Sequence, residues 1–453
     1  MPARVLLPAS PPPTLRRMAA SAVCVVFVAN ALLVALMWIR HGLLTEPPSL
    51  AAGLMAIGQL SALGGTYLAL AGLVLVARTP LLEQLLGDRA ARYHRLIGFS
   101  AITLITLHVL CSVAGYAVAE RVWVLDEFTT VVIAYPYMLA ALAGLGLFLA
   151  VGISSMRFIR ARISYETWTG IHLYAYLALI LAFGHQLAVG SDFAQHPLAR
   201  VYWIGLYGVV LSLVFVYRLA APIRLLICHR FTVARVVLEA PDVVSFYVSG
   251  RNLDRLQVRA GQYFRLRLLA RNEWWRSHPF SISAMPDGQS IRFTVKSLGD
   301  FTMRLQSLRP GTRVMLSGPY GALTSTRRTV RGVALIGGGI GVTPIRALFE
   351  EFAGNVDVKL IYRASRTEDV VFWSELDHLS RQPEATVSYV IGRRGQGLPE
   401  EPLNAAALRG MVPDIAIRDV YVCGPVSMMD AVERSLRELG VPRRRVHTER
   451  FAA

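Results

Sequence analysis

RYHRLIGFSAITLITLHVL (residues 92–110) and GIHLYAYLALILAFGH (residues 170–185) each set two histidines into an apolar run of membrane-spanning character. They are His94 with His108, and His172 with His185. An ionisable side chain at membrane depth is costly, so four of them point to function. The separations of 14 and 13 residues correspond to roughly 21 Å and 20 Å of helix, which puts the two pairs at two matching depths. An iron held on both axial faces needs one neutral imidazole from each of two helices, and two such sites use all four histidines. Taken singly, each is a buried histidine bonded to a neighbouring carbonyl; the pairing in depth argues for metal. Fourteen residues fall within roughly 40° of whole turns, but thirteen fall roughly 140° away. The second helix is therefore expected to be distorted or rotated, near Gly184.

Outward from these stretches, apolar runs fill the first half of the chain. Hydrophobic residues make up 54% of the 453, too many for a wholly soluble protein. Spans are expected at residues 18–39, 50–77, 94–119, 129–154, 168–189 and 201–219, each near the roughly 20 residues that cross the hydrocarbon. The run at 18–39 is too long for a signal-peptide core and lacks a small-residue cleavage site, so it reads as the first span. Residues 1–17, opening on a proline-rich stretch, read as a disordered cytosolic N-terminus, and 18–222 as a six-helix membrane domain.

The net charge of +17 is placed like that of a membrane protein, not of a nucleic-acid binder. Arg78, Arg89, Arg92 and Arg95 lie in one loop; Glu120, Asp126 and Glu127 oppose Arg121 in the next; Arg157, Arg160 and Arg162 follow. The positive-inside rule then puts both termini in the cytosol and the protein in the cell membrane. His94 and His172 lie on the inner side, His108 and His185 on the outer. His41 and His196 fall in exterior loops and read as solvated. Cys24, Cys111, Cys228 and Cys423 are scattered, with no disulfide or cysteine-metal spacing.

After residue 225 the pattern changes. FTVARVVL, VVSFYV, YFRLRLL and IRFTVKS alternate with period two, which predicts an antiparallel barrel over 226–326. From 330 to 453, strands alternate with helices, which predicts a parallel α/β sheet. GGGIGVTPI begins at Gly337 after a hydrophobic strand and opens a helix; Gly337, Gly338, Gly339 and Gly341 allow close approach of a pyrophosphate to the helix N-terminus. The next strand ends in YRASR without an acidic residue, so Arg363 and Arg366 tilt the nucleotide toward NADPH over NADH. HPFSIS (278–283) can line a flat ring and SLGDFT (297–302) can meet a pyrophosphate, although each alone is also an ordinary strand or capping turn.

HPFSIS, SLGDFT, GPYG, GGGIGVTPI and VYVCGP, in this order after a six-helix segment with paired histidines, resemble the NADPH oxidase and ferric reductase superfamily, in its bacterial type. The resemblance implies two b-type haems, an FAD-binding barrel and a ferredoxin-reductase-like NAD(P)H domain. It makes His94, His108, His172 and His185 haem ligands. His278, Pro279, Phe280 and Ser281, with Ser283 closing the motif, match the flavin strand, and Gly299, Asp300, Phe301 and Thr302 match the flavin pyrophosphate turn. Thr343 and Pro344 complete the nucleotide loop. Cys423, Gly424 and Pro425 match the motif beside the nicotinamide, and HTERF matches the end of the reductase domain, with Phe451 near the flavin. Cys423 and Phe451 are thus the residues expected at the hydride-transfer centre.

Two departures bear on the acceptor. Many superoxide-producing oxidases carry a histidine four residues after the outer ligand, where this chain has Ser112, and an arginine early in the second span, where residues 51–66 have none. The expected function is electron transfer from cytosolic NAD(P)H through FAD and two haems to an exterior acceptor, a ferric chelate or oxygen. The rival is an electron-delivery subunit that reduces a separate exterior redox protein. No EF-hand loop is visible.

Overall fold

Among the described residues, six helices are long and apolar enough to cross a membrane: Met18–Arg40, Leu50–Val76, Arg89–Glu120, Met138–Ser155, Tyr165–Val189 and Pro197–His229. The structure is a computed structural model that describes residues 13–41, 49–87, 89–270, 273–395 and 397–450. It divides into a membrane unit, Arg16–Leu82 with Arg89–Arg218, and a second unit, Leu219–Ala453 with Glu83–Asp88.

The membrane unit holds α1 (Pro13–His41), α2 (Leu50–Val76), the start of α3 (Pro80–Leu86), α4 (Arg89–Glu120), α5 (Val124–Ala134), α6 (Met138–Ser155), the short α7 (Arg157–Arg160), α8 (Tyr165–Val189), the short α9 (Ser191–Ala194) and α10 (Pro197–Phe215). Its outward faces carry Leu96, Phe99, Leu110, Ile180, Leu198 and Val209, all exposed. Uncovered apolar surface on this scale suits lipid and not water, and the chain is a membrane protein.

Three boundaries differ from the sequence reading. The helix α1 starts at Pro13, inside the stretch expected to be disordered, because proline is tolerated in a first turn; residues 1–12 lie outside the described residues. The fourth span does not run from 129. Pro136 disfavours helix at Tyr135, which is extended (φ −94°, ψ 140°), and Tyr137 turns left-handed (φ 63°) before α6 begins. Finally, α10 continues through a π-helical segment, Val216–Ala220, into α11 (Ala221–His229).

The second unit holds two three-stranded antiparallel sheets. One has the order β1 (Thr232–Ala240), β2 (Val243–Ser249), β5 (Ser290–Lys296); the other has β4 (His278–Ser281), β3 (Tyr263–Leu268), β6 (Val314–Tyr320). Between them, Thr232 bridges to Arg313 and Ile282 to Phe293, and backbone hydrogen bonds join Val233 to Gly311 and Thr312, Val314 to Phe231 and Ser283 to Arg292; among the described residues these contacts do not close the two sheets into the single ladder of the expected barrel. Phe246, Phe264 and Phe293 fill the space between the sheets. The helix α12 (Asp300–Gln306) follows β5.

The α/β part matches its expectation. Five parallel strands run in the order β13 (Val446–Glu449), β12 (Asp419–Cys423), β7 (Val333–Gly338), β8 (Val358–Ala364), β9 (Ala385–Ile391). A two-residue pair, β10 (Arg393–Arg394) and β11 (Gly397–Leu398), stands apart. The helices are α13 (Val342–Phe352), α14 (Trp373–Ser380), α15 (Ala405–Met411) and α16 (Val426–Glu438). Every residue of β7 and β12 is buried, as parallel strands covered on both faces must be.

Candidate functional site

The four histidines meet in two levels. The ring centroids of His94 and His172 are 5.8 Å apart, and those of His108 and His185 are 6.5 Å apart. Two nitrogen–metal bonds of roughly 2 Å, plus about 1.2 Å from nitrogen to ring centre on each side, place two axial imidazoles about 6.4 Å apart. Both levels fit one metal between a pair of rings. The planes differ, 71° apart in the first level and 22° in the second. The helix α8 runs unbroken from Tyr165 to Val189, so the distortion or rotation expected near Gly184 does not interrupt it. Gly184 instead makes room for a neighbouring ring, since a Cβ there would sit 3.0 Å from Tyr137.

The neighbouring carbonyls that the sequence offered as an alternative to metal are present, and they orient the rings. His94 Nδ1 lies 3.2 Å from the carbonyl of Gly72, and His108 Nδ1 lies 3.0 Å from the carbonyl of Gly58. A carbonyl only accepts, so each Nδ1 carries the proton and Nε2 keeps its lone pair for a metal. Gly58 and Gly72 are 14 residues apart on α2, the spacing of the histidines they hold on α4, with Gly65 midway. A Cβ on Gly58 would come within 2.5 Å of Ser112 Oγ, and one on Gly65 within 2.8 Å of Ile105. The glycines thus let the two helices approach closely. The sequence signal was available: glycine at every seventh residue, in phase with the histidine spacing. Ser112 lies 3.2 Å from His108 Nδ1. On α8, Trp168 stacks on His172 at 4.8 Å and donates from Nε1 to Ser155 Oγ, which stands 3.5 Å from His172 Nδ1.

In the second unit the carboxyl ends of the central strands converge. Cys423 is fully buried and sits in register between Gly337 of β7 and Glu449 of β13. A Cβ on Gly341 would meet Gly424 at 2.5 Å, so the loop before α13 touches the Gly424–Pro425 turn. Beside them opens a cavity of about 280 Å³ lined by Gly338, Gly339, Arg363, Ser365, Pro425 and Ser427 among others. Thr343 is buried and donates to the carbonyl of Ile340, and Pro344 is buried in the first turn of α13. Arg363 donates to the carbonyls of Val390 (3.3 Å), Gly392 (2.6 Å) and Ala364. Arg366 pairs with Glu368 and Asp369, each at 3.1 Å. Both arginines expected to meet a 2′-phosphate are held by protein acceptors.

The flavin motif is partly assembled. His278 stacks on Phe301 at 4.2 Å, and Phe280 lies 6.3 Å from Phe301 with its plane 14° away. Phe301 is therefore buried in an aromatic stack. Pro279 pairs in register with Arg265 of β3. Ser281 Oγ is buried without a hydrogen-bond partner, as expected of a group that awaits a ligand. Ser283, expected with it, is spent on protein: its Oγ accepts from Arg292 Nε (3.1 Å) and Thr294 Oγ1 (2.7 Å). At the turn, Thr302 Oγ1 accepts from the N–H groups of Leu298 and Gly299, while Asp300 is exposed. Phe451 lies outside the described residues.

Residues 52–183 match the family described as ferric reductase like transmembrane component, 228–324 match an FAD-binding domain, and 335–434 match an oxidoreductase NAD-binding domain. The chain has the architecture of the NADPH oxidase and ferric reductase superfamily. The last of the three matched domains is, by its description, an oxidoreductase domain. Among curated relatives, the chain is 30% identical over 241 residues to the glycine betaine monooxygenase reductase subunit of Chromohalobacter salexigens, covering 50% of this chain and 64% of that protein. It is 30% identical over 225 residues to NADH oxidoreductase HCR of Escherichia coli, covering 47% and 66%. The chain thus spans less than two thirds of either relative. Among solved structures it is similar to the flavohem-like FAD/NAD binding domain of nitric oxide dioxygenase from Vibrio cholerae, with 23% identity, TM-score 0.43 and coverage of 49% and 99%. It is also similar to the flavohemoglobin of Malassezia yamatoensis, with 17% identity, TM-score 0.45 and coverage of 89% and 99%.

Proposed function

We propose that the chain is a transmembrane oxidoreductase that moves electrons from cytosolic NAD(P)H through FAD and two bis-histidine b-type haems to an exterior acceptor, a ferric chelate or molecular oxygen. The observation that carries this reading is the pair of histidine levels, 5.8 Å and 6.5 Å between rings, in a chain fused to FAD- and NAD-binding domains. When bound, the cofactors supply hydride acceptance and one-electron transfer. The chain supplies position and burial. His94 and His172 form the inner axial pair, His108 and His185 the outer, with the carbonyls of Gly72 and Gly58 fixing the tautomer of the two on α4. Ser281 offers its unpartnered hydroxyl to FAD, beside His278, Pro279 and Phe280. Residues Gly337 to Gly341 and Arg363 hold the nucleotide, with Cys423 at the nicotinamide and Phe451 near the flavin. The loop charges favour cytosolic termini, and the proposed location is the cell membrane.

The acceptor is tested on purified protein in detergent given NADPH. Ferric citrate with a ferrous chelator is expected to develop colour, and oxygen to support dye reduction sensitive to superoxide dismutase. The matched relatives include reductase subunits of other enzymes, which favours one second reading: delivery of electrons to a separate exterior redox protein. Haem reduction by NADPH without turnover on either small acceptor would select that reading. Absence of NADPH-dependent haem reduction would contradict both.

A further inference from the structure

Four buried or half-buried charges join the flavin sheets to the nucleotide-binding helices. Arg292 on β5 is 5% exposed and grips Glu375, in the first turn of α14, with both arms of its guanidinium, at 2.7 Å and 3.0 Å. The same Arg292 donates to Ser283, to Oγ at 3.1 Å and to the carbonyl at 2.5 Å, just past the HPFS strand. Glu375 also accepts from Arg346 of α13 at 2.8 Å; Arg346 pairs with Glu350; and Glu350 takes the backbone N–H of Met285 at 2.6 Å. The path leaves the chain at Ser283 and returns at Met285, a closed ring of two arginines and two glutamates with no net charge. A planar bidentate fork holds direction as well as distance, which a lysine would not. The residue before α14, Phe372, is left-handed (φ 65°) with its ring 4.8 Å from the Arg292 guanidinium, so α14 starts from a backbone geometry that the ring of charges holds in place.

What the ring connects gives it a role. Arg346 lies one turn into the helix opened by the Gly337–Gly341 loop, and Glu375 follows the segment whose Ser365, Asp369 and Val371 line the cavity. At the other end is the strand of His278 to Ser281. We infer that Arg292, Glu375, Arg346 and Glu350 are positioning residues that set the distance between the nucleotide-binding loops and the flavin strand for hydride transfer. This rests on the FAD and nucleotide sites proposed above. In that step a hydride leaves C4 of the reduced nicotinamide for N5 of the flavin: NAD(P)H loses two electrons and one hydrogen, and FAD gains them. A misplacement of about 1 Å can cost on the order of a hundredfold in rate, whereas binding of either cofactor alone does not depend on that distance.

The test uses the full chain in detergent and the variants Glu375→Gln, which keeps the shape and removes the charge, and Arg292→Lys, which keeps the charge and removes the fork. Anaerobic stopped-flow is expected to show flavin reduction at saturating NADPH slowed by about tenfold or more in both, with flavin content and nucleotide Kd within about twofold of the parent. Hydrogen exchange on flavin-free protein is expected to quicken at Met285 and over residues 372–380. A rate within twofold of the parent overturns the inference. So does loss of flavin or a lowered Tm with a normal rate constant in the flavin-loaded fraction, which would make the ring a structural staple only. If the parent protein binds NADPH but its flavin stays oxidised, the underlying reading fails, and the inference with it.

Discussion

The membrane unit and the nucleotide-binding unit orient their functional groups by opposite means. In the first, the groups that fix His94 and His108 are the backbone carbonyls of Gly72 and Gly58. In the second, side-chain charges take that role, as in the Arg292–Glu375 fork and in Asp419, which accepts from Thr329 N, Val330 N and His447 Nε2 at 2.6 Å, 2.8 Å and 2.9 Å. The reason is solvation. Lipid gives an unpaired charge no compensation, so an uncharged acceptor that already belongs to the helix is the economical partner; a unit bathed in water can assemble ion pairs at its interior seams. The first arrangement should break when bulk is added, the second when charge is removed.

The largest effect is expected where the comparison is starkest, at the ligands themselves. His108→Ala should lower haem from about two to about one per chain and cut electron transfer to the exterior acceptor by more than about a hundredfold, while flavin reduction by NADPH persists. Unchanged haem content would remove His108 from the outer level. Next come the glycines. Gly58→Ala puts a methyl against Ser112, with contacts of 2.5 Å to Oγ and 3.2 Å to the backbone N, so it should cost about 1–3 kcal/mol of stability and deplete the outer level. Gly72→Ala meets His94 at an ordinary 3.6 Å and should be near neutral in Tm and haem content. Equal behaviour of the two would mean that close helix approach is not what seats the imidazoles.

A smaller contrast separates two serines of one motif. Ser281→Ala should weaken FAD binding with little change in Tm. Ser283→Ala leaves Arg292 Nε without its acceptor and should lower stability by about 1–3 kcal/mol with FAD affinity retained. Titrating flavin into the apo variants, beside their melting curves, decides it; the reverse pattern would exchange their roles.

The smallest effect is on acid stability. Burial pushes the Glu375 carboxyl up, but hydrogen bonds and charges from Arg292 and Arg346 hold it below the usual range; Asp419 is likewise raised by burial and lowered further by His447, Thr329 and Val330. With folded-state pKa values below the unfolded ones of about 4, the unfolded chain takes up protons first. The stabilisation is complete above that range and is lost as the pH falls through the depressed values. Glu351, raised by burial, runs the other way. Melting of the second unit should shift down between about pH 5 and 3, less so in Glu375→Gln. A Tm that holds or rises there would contradict the ion-pair account.

How much was legible in the sequence follows the same division. Six spans, the parallel sheet and the two histidine levels could be read because a histidine in an apolar run, or glycines after a hydrophobic strand, are locally conspicuous. The break at Pro136 was equally local and was overlooked because the flanking residues are apolar. The partners of Arg292 could not be read: Ser283, Phe372 and Glu375 lie 9, 80 and 83 residues away in sequence, and only packing brings them together. The acceptors around Arg363 and Arg366 were hidden in the same way, since pattern shows a cation but not the carbonyls and carboxylates beside it.

The account stands most directly on an anaerobic absorption spectrum of the purified full chain before and after NADPH. Two haems per chain, with the reduced bands of six-coordinate b-type centres appearing on addition of NADPH, are the predicted result. A protein purified with FAD but without haem, even when haem is supplied during expression, would contradict the pairing of His94 with His172 and of His108 with His185 about a common metal.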